Sequence, residues 1–249
     1  PIDIALILSS GKAEVTVSSE PIIRIISTGS ELVPVGKKIL SHQVRMSNGP
    51  SIKEMLYQQG IKNCHHTHLV DDKTIQRRNI KNHLNKSDIL ILSGGISMGK
   101  ADYIPTILDE LGVRCIFYKV KQRPGKPMWF GVGPKKQLVF ALPGNPVSAI
   151  TCCRHYIVPA VHKMRGRTHF FDEYVQLQKS INFKPNLTYF LPVRITHQKN
   201  AITKAAPVET NTSGDFSSLS KTDGYIELNN RKSNFRKNEN IKFHRWKHV

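Results

Sequence analysis

Residues 88–95 read Asp88-Ile89-Leu90-Ile91-Leu92-Ser93-Gly94-Gly95. A short continuous apolar run closed by Ser-Gly-Gly describes a strand buried on both faces. Such strands belong to parallel sheets covered by helices on each side. Outward from this run the same unit recurs. Ile22 to Ser27 is a compact apolar strand broken by Thr28-Gly29-Ser30. Ser47-Asn48-Gly49-Pro50 reads as a turn, and Ser51 as the cap of a helix from Ile52 to Gln59 that Gly60 ends. Asn63 to Leu69 reads as a short strand, with Asp71-Asp72 just beyond it and a helix from Thr74 to Leu84. After Gly94-Gly95 come a helix from Tyr103 to Leu111, strands at Val113 to Val120 and Leu138 to Leu142, and a helix from Val147 to Tyr156. The expected fold over residues 21–168 is therefore α/β, a three-layer, mostly parallel sheet with helices on both faces.

The pattern changes after Gly166. Tyr174 to Leu177, Tyr189 to Ile195, Ala201 to Lys204 and Tyr225 to Leu228 are short, strand-like and separated by turns. They predict a small all-β domain over residues 170–246, its polar, basic last stretch a loose tail or a single edge strand. The chain has 249 residues, 39% hydrophobic and 22% charged, which suits one large domain or a medium one plus a small one. No apolar run is long enough for a transmembrane helix. The start, Pro1-Ile2-Asp3, has no basic-then-apolar leader, which argues against an intact signal peptide. Four cysteines without C-x-x-C spacing point to reduced, structural thiols and a cytoplasmic location. The formal charge of +19 calls for an anionic partner without choosing among phosphate ligands, oxyanions, nucleic acid and acidic lipid. No basic-aromatic stripe interleaves the sequence, so nucleic acid is disfavoured.

A covered parallel sheet presents its ligands beyond the carboxyl ends of its strands. The loops at those ends are Ser27 to Glu31, Val70 to Asp72, Ser93 to Asp102 and Pro143 to Ser148. Gly94 through Lys100 matches the spacing of a phosphate-binding P-loop, but Ala101 stands where Ser or Thr would hold magnesium, which argues against a true nucleoside triphosphatase. Glu31, Asp71 and Asp102 follow three different strands, and each alone is readily a cap or solvated surface. Converging beside an anion-binding loop, they would call for a cation, with magnesium and phosphate oxygens the natural pair. Lys119, Lys121, Arg123 and Lys126 surround the rigid Pro124-Gly125-Lys126-Pro127, where Lys126 could meet an oxyanion or lie on a solvated loop. His65-His66-x-His68 reads as polar surface in preference to a transition-metal site.

Taken in order, Ser27-Thr28-Gly29-Ser30-Glu31-Leu32, Asp71-Asp72, Ser93-Gly94-Gly95-x-Ser97-x-Gly99-x-x-Asp102-Tyr103, Pro124-Gly125-Lys126-Pro127 and Leu142-Pro143-Gly144-Asn145-Pro146-Val147-Ser148 resemble the molybdopterin molybdenumtransferase family. The resemblance extends over about residues 2–230. Molybdopterin adenylyltransferases share the Gly-Gly loop and the α/β fold but usually lack the Pro-Gly-Lys-Pro element and the β domain.

The resemblance implies a homodimeric enzyme of molybdenum cofactor biosynthesis, with adenylylated molybdopterin and molybdate as substrates. Such enzymes hydrolyse the phosphoanhydride with a divalent cation, usually Mg2+, insert molybdenum at the dithiolene and release AMP. By motif position it implies Glu31, Asp71 and Asp102 as acidic, metal-binding active-site residues, with Lys126 a fourth catalytic group. It implies substrate-binding roles for Thr28, Gly29, Ser93, Gly94, Gly95, Ser97, Gly99, Lys121, Pro143, Gly144, Asn145, Pro146 and Ser148, and, from the β domain, Arg194, Thr212 and Ser213. Two departures accompany it. The family's first motif commonly reads Thr-Gly-Asp-Glu, and here Ser30 replaces the Asp. Full-length members also carry an N-terminal half, so residues 1–20 are expected to be strands leading out of a missing region, with complementary N-terminal domains or a separate polypeptide needed for turnover. A non-catalytic binding or scaffold module of the same fold, and an adenylyltransferase, are the alternatives.

Overall fold

The computed structural model describes residues 1–96, 103–167, 171–208 and 215–247. Helix α1 spans Ile2–Ser9. It is followed by β1 (Ile23–Thr28), β2 (Leu32–Val33), β3 (Val44–Arg45), α2 (Asn48–Gln58), β4 (Cys64–Leu69), α3 (Lys73–Asn85) and β5 (Ile89–Ser93). Next come α4 (Ile104–Glu110), β6 (Arg114–Tyr118), β7 (Gln122–Arg123), β8 (Trp129–Val132), β9 (Leu138–Leu142) and α5 (Pro146–Cys152), which runs through a π-helical turn, Cys153–Ile157, into α6 (Val158–Met164). The last part holds β10 (Glu173–Leu177), β11 (Ile181–Asn182), β12 (Thr188–His197), β13 (Thr203–Pro207), α7 (Phe216–Leu219), β14 (Gly224–Leu228), β15 (Asn234–Phe235) and β16 (Asn240–Arg245).

The first sheet has the order β4-β1-β5-β9-β8-β6. Its first four strands are parallel, and β8 and β6 close it antiparallel. The two faces of the continuous apolar strands fill two separate cores. Ile23, Ile25, Ile89, Ile91 and Phe140 pack with α2, α5 and α6. Ile26, Leu90, Leu92, Val139 and Ala141 pack with α3 and α4. This is the expected three-layer arrangement, and it is why these strands show no polar alternation. Ser27 stands opposite Ser93, and Ser93 opposite Leu142. Thr28 stands opposite Leu69. The carboxyl ends of β1, β4, β5 and β9 therefore finish at one level.

The second sheet runs β13-β10-β16-β14-β12, and pairing of β12 with β13 closes it into a barrel. β16 lies between β10 and β14, so the chain's last stretch is an inner strand, neither a loose tail nor an edge. Strand β7, from the hairpin of the α/β domain, adds to β12 in parallel and joins the two domains. No described helix is long and apolar enough to cross a membrane.

Residues 1–20 depart from the expected strands. Ile2–Ser9 is helical, and no strand precedes Ile23 among the described residues. Ile2, Ile4, Leu6 and Leu8 are all exposed, so no sheet edge is within reach of them. A helix closes its own hydrogen bonds, as a strand without a neighbour cannot. The turn expected at Ser47 to Pro50 is instead the first turn of α2, with Ser47 and not Ser51 at its cap. Pro50 is tolerated there because first-turn N–H groups have no intrahelical partner.

Candidate functional site

A cavity of about 590 Å³ opens where the four strands end. The loop after β1 contributes Thr28, Gly29 and Glu31; the loop after β4, Asp71; the end of β5, Ser93, Gly94 and Gly95; the loop after β9, Pro143, Gly144, Asn145 and Pro146. All of these were expected from their position after strands. Asp71 and Asp72 divide their work. Asp72 Oδ1 accepts from the Ile75 N–H at 2.7 Å and caps α3. Asp71 takes the Ser30 N–H at Oδ2 (2.8 Å) and the Gln76 Nε2 at Oδ1 (3.4 Å). Each Asp71 oxygen keeps a further lone pair for a ligand.

Other expected residues lie elsewhere. Lys121 and Lys126 are exposed and do not line the cavity, although Pro127 does. The Lys126 carbonyl closes the hairpin, and the Lys121 carbonyl serves the domain junction. Lys126 O accepts from Val120 N at 2.9 Å and Lys121 O from Thr188 N at 2.9 Å. Ser148 is buried, its N–H and hydroxyl both on Asn145 Oδ1, so it shapes the Asn145 loop from behind. Arg194 is exposed on β12, away from the lining. Ser97, Gly99, Asp102, Thr212 and Ser213 fall outside the described residues.

Asn48, read from sequence only as part of a turn, is a site residue that the motifs did not mark. It opens α2 and lines the cavity. Its Nδ2 donates to Ser93 Oγ at 2.9 Å and to Gly144 O at 2.8 Å. One amide thus ties the end of β5 to the loop after β9. Arg45 was also missed. It is the one cation among the described lining residues, and its Nη1 donates to Pro34 O at 3.2 Å and also to Lys37 O. A second layer comes from β4. His66 Nε2 meets Ser27 Oγ at 2.9 Å, and His68 Nε2 meets the Gly29 carbonyl at 2.8 Å. A Cβ on Gly49 would stand 2.0 Å from His66 Nε2, so only glycine lets α2 close over that ring. Burial, with His68 and Lys53 nearby, holds the His66 pKa below its ordinary value. Both ring Nε2 atoms are committed, and the pair braces the loop after β1.

The described lining carries two carboxylates against one guanidinium. An anionic ligand there needs further positive charge. Magnesium typically takes one or two carboxylates and completes its shell with phosphate oxygens and water. Glu31 and Asp71 suit that pattern, whereas the described residues hold no group of three His, Cys, Asp or Glu side chains able to cage an ion unaided. The thiols are not reactive groups. Burial pushes Cys64 up to about 11 and Cys152 up to about 12.

Residues 24–163 match the family described as "Probable molybdopterin binding domain", and residues 174–246 match "MoeA C-terminal region (domain IV)". Over 242 residues, 97% of its length, the chain is 39% identical to the molybdopterin molybdenumtransferase of Synechocystis sp., of which the match spans 60%. Over 90% of its length it is 31% identical to the molybdopterin molybdenumtransferase of Staphylococcus epidermidis, spanning 54% of that protein. The crystal structure of the molybdopterin biosynthesis MoeA protein from Pyrococcus horikoshii aligns with TM-score 0.79 at 25% identity, over 98% of this chain and 59% of that one.

Proposed function

Since the chain belongs to the molybdopterin molybdenumtransferase family and corresponds to the C-terminal portion of its relatives, we propose that its cavity binds adenylylated molybdopterin. Molybdate is the second substrate, AMP is released, and molybdenum enters the dithiolene. The supporting observation is the meeting, at one cavity, of Glu31 and Asp71 with the Gly94-Gly95 turn and the Pro143 to Pro146 loop.

In this reading Glu31 and Asp71 hold Mg2+ against the phosphoanhydride, with Asp102 as the third acid. Bound there, the ion would neutralise phosphate charge and polarise the bond to be broken. The protein's own part is placement. Ser30 and Gln76 fix the Asp71 carboxylate, and Asn48 holds the two loops that border the ligand. Lys121, Lys126, Arg194, Thr212 and Ser213 would reach the molybdate side from the hairpin and the barrel. A homodimer, a cytoplasmic location and completion by an N-terminal portion belong to the same proposal. The retained pair of carboxylates speaks against a purely scaffolding module, which has no use for them.

The test is AMP release from adenylylated molybdopterin with molybdate and magnesium. It is run on the chain alone and with the N-terminal portion of the Synechocystis relative added. Release above background that Asp71→Asn abolishes supports the proposal. A chain that neither binds the adenylylated pterin nor releases AMP in either mixture overturns it.

A further inference from the structure

A second concavity, about 710 Å³, lies between the π-helical turn and strand β16 and shares no lining residue with the first. Arg154 lines it and is only 8% exposed. Its Nε donates to the Arg245 carbonyl at 2.5 Å. Among the described residues no carboxylate pairs with Arg154 and no protein group accepts from its Nη nitrogens, which keep contact with solvent. Burial draws its pKa below the ordinary value. A guanidinium stays charged even so, and a desolvated charge without a counter-ion is costly. Lys242 and Arg245, on the same concavity, differ: they already meet Asp172 at 2.7 Å and Glu173 at 2.6 Å.

The backbone explains how this arises. In an α-helix consecutive side chains point about 100° apart. The wider π turn lets Arg154 and His155 both reach the barrel, the first to Arg245 O and the second, through Nδ1, to Tyr225 OH at 3.1 Å. Turns of this type recur at functional sites. Asp172 and Glu173 would oppose an anion, but Lys242 and Arg245 offset them.

We propose that this concavity is an oxyanion site, in which the open Nη edge of Arg154 receives two oxygens of a tetrahedral phosphate-type group, free or as a monoester. Planar guanidinium and tetrahedral oxyanion match in a two-pronged contact that an ammonium cannot reproduce.

The experiment titrates the whole chain with inorganic phosphate at constant ionic strength, with chloride as control and AMP as the monoester. Calorimetry gives the affinity, and imidazole NMR of His155 and His244 reports the place. Saturable phosphate binding that shifts both rings is expected, with Arg154→Lys weakening it about tenfold. If AMP shifts the rings and phosphate does not, the ligand is a monoester. If phosphate shifts them, the free oxyanion suffices. Glu173→Gln removes an opposing carboxylate and should tighten binding roughly threefold, a readout that survives if Arg154→Lys does not fold. Rings unmoved by both ligands, chloride acting equally, Arg154→Lys binding as well as the wild type, or Glu173→Gln failing to tighten binding each overturns the proposal.

Discussion

Ser30 and Asp71 hold each other by two reciprocal bonds: the Ser30 N–H donates to Asp71 Oδ2 at 2.8 Å, and the Asp71 N–H donates to Ser30 Oγ at 3.0 Å. The residues stand after different strands, so the pair fastens the loop after β1 to the loop after β4. The family's more common Asp at this place would set a second carboxylate against Asp71. The Ser30 hydroxyl accepts the same N–H without that repulsion.

Ser30→Ala removes the hydroxyl acceptor and leaves the other bond. Because the pair is exposed, the cost is expected to be about 1 kcal/mol or less, read from the urea midpoint. In the proposed magnesium site the Ser30 N–H still holds the Asp71 carboxylate, so magnesium affinity should change no more than stability does. A larger loss of magnesium binding would show that the hydroxyl itself positions the site.

Asn48→Ala strips Ser93 Oγ and Gly144 O of their shared donor. The exposed Gly144 carbonyl can turn to water, so the cost falls on the buried Ser93 and is expected to be about 1 kcal/mol. Asn48→Asp keeps the size but turns a carboxylate towards the Gly144 carbonyl, and should be the less stable of the two. Thermal melts of both variants check the order.

Gly94 and Gly144 lie side by side on the cavity lining, and their substitution should separate folding from binding. Gly94 has φ +98°, and a Cβ there would stand 2.5 Å from the Thr28 carbonyl oxygen. Gly94→Ala is expected to cost upwards of about 2 kcal/mol. A Cβ on Gly144 meets nothing nearer than the Gly94 Cα at 3.9 Å. Gly144→Ala should therefore fold within about 0.5 kcal/mol of the parent while its methyl group narrows the cavity and weakens pterin binding. Chemical denaturation and a binding titration on the same samples distinguish the two effects.

Acid should loosen the domain junction through His155. Burial first, and then the neighbouring His244, push its pKa from 6.5 down to about 4, with Glu227 pulling the other way. As pH falls below 6.5 the unfolded chain takes up a proton that the native ring refuses until about 4. This contribution to stability is complete above 6.5 and declines between those two values. His66, also held below its ordinary pKa, acts in the same direction. His155→Gln keeps a partner for Tyr225 OH and should flatten the slope of urea midpoint against pH. An unchanged slope would remove His155 as its source.

Local patterns carried much of this structure. The apolar runs at Ile23–Thr28, Ile89–Ser93 and Leu138–Leu142 mark strands buried on both faces, and a covered parallel sheet follows from them. The small and acidic residues after these runs, and after the polar strand Cys64–Leu69, mark the cavity rim, which is how Glu31, Asp71, Gly94 and Pro143 were legible. Asn48 was not, because Ser47-Asn48-Gly49-Pro50 has the composition of a turn and only packing against β4 and β5 makes it a helix start. Arg45 was hidden for a similar reason: it lies on an exposed two-residue strand, β3, with no apolar pattern. The hairpin lysines were legible as a rigid basic feature, but sequence does not say which way a side chain leaves such a loop, and theirs do not line the cavity.

Sequence alone determined the main strands and helices of the α/β domain and which loops carry acids and glycines, since these follow from side-chain period and backbone preference within a few residues; it misread residues 1–20, the start of α2 and the last strand. Tertiary structure alone decided that Ser27, Ser93 and Leu142 end at one level, that Asn48 bridges Ser93 to Gly144, that β7 crosses into the barrel, and that Arg154 is buried without a counter-ion. Each depends on strand register or on contacts between residues tens of positions apart, which are fixed when the two cores pack and not by any local run of residues.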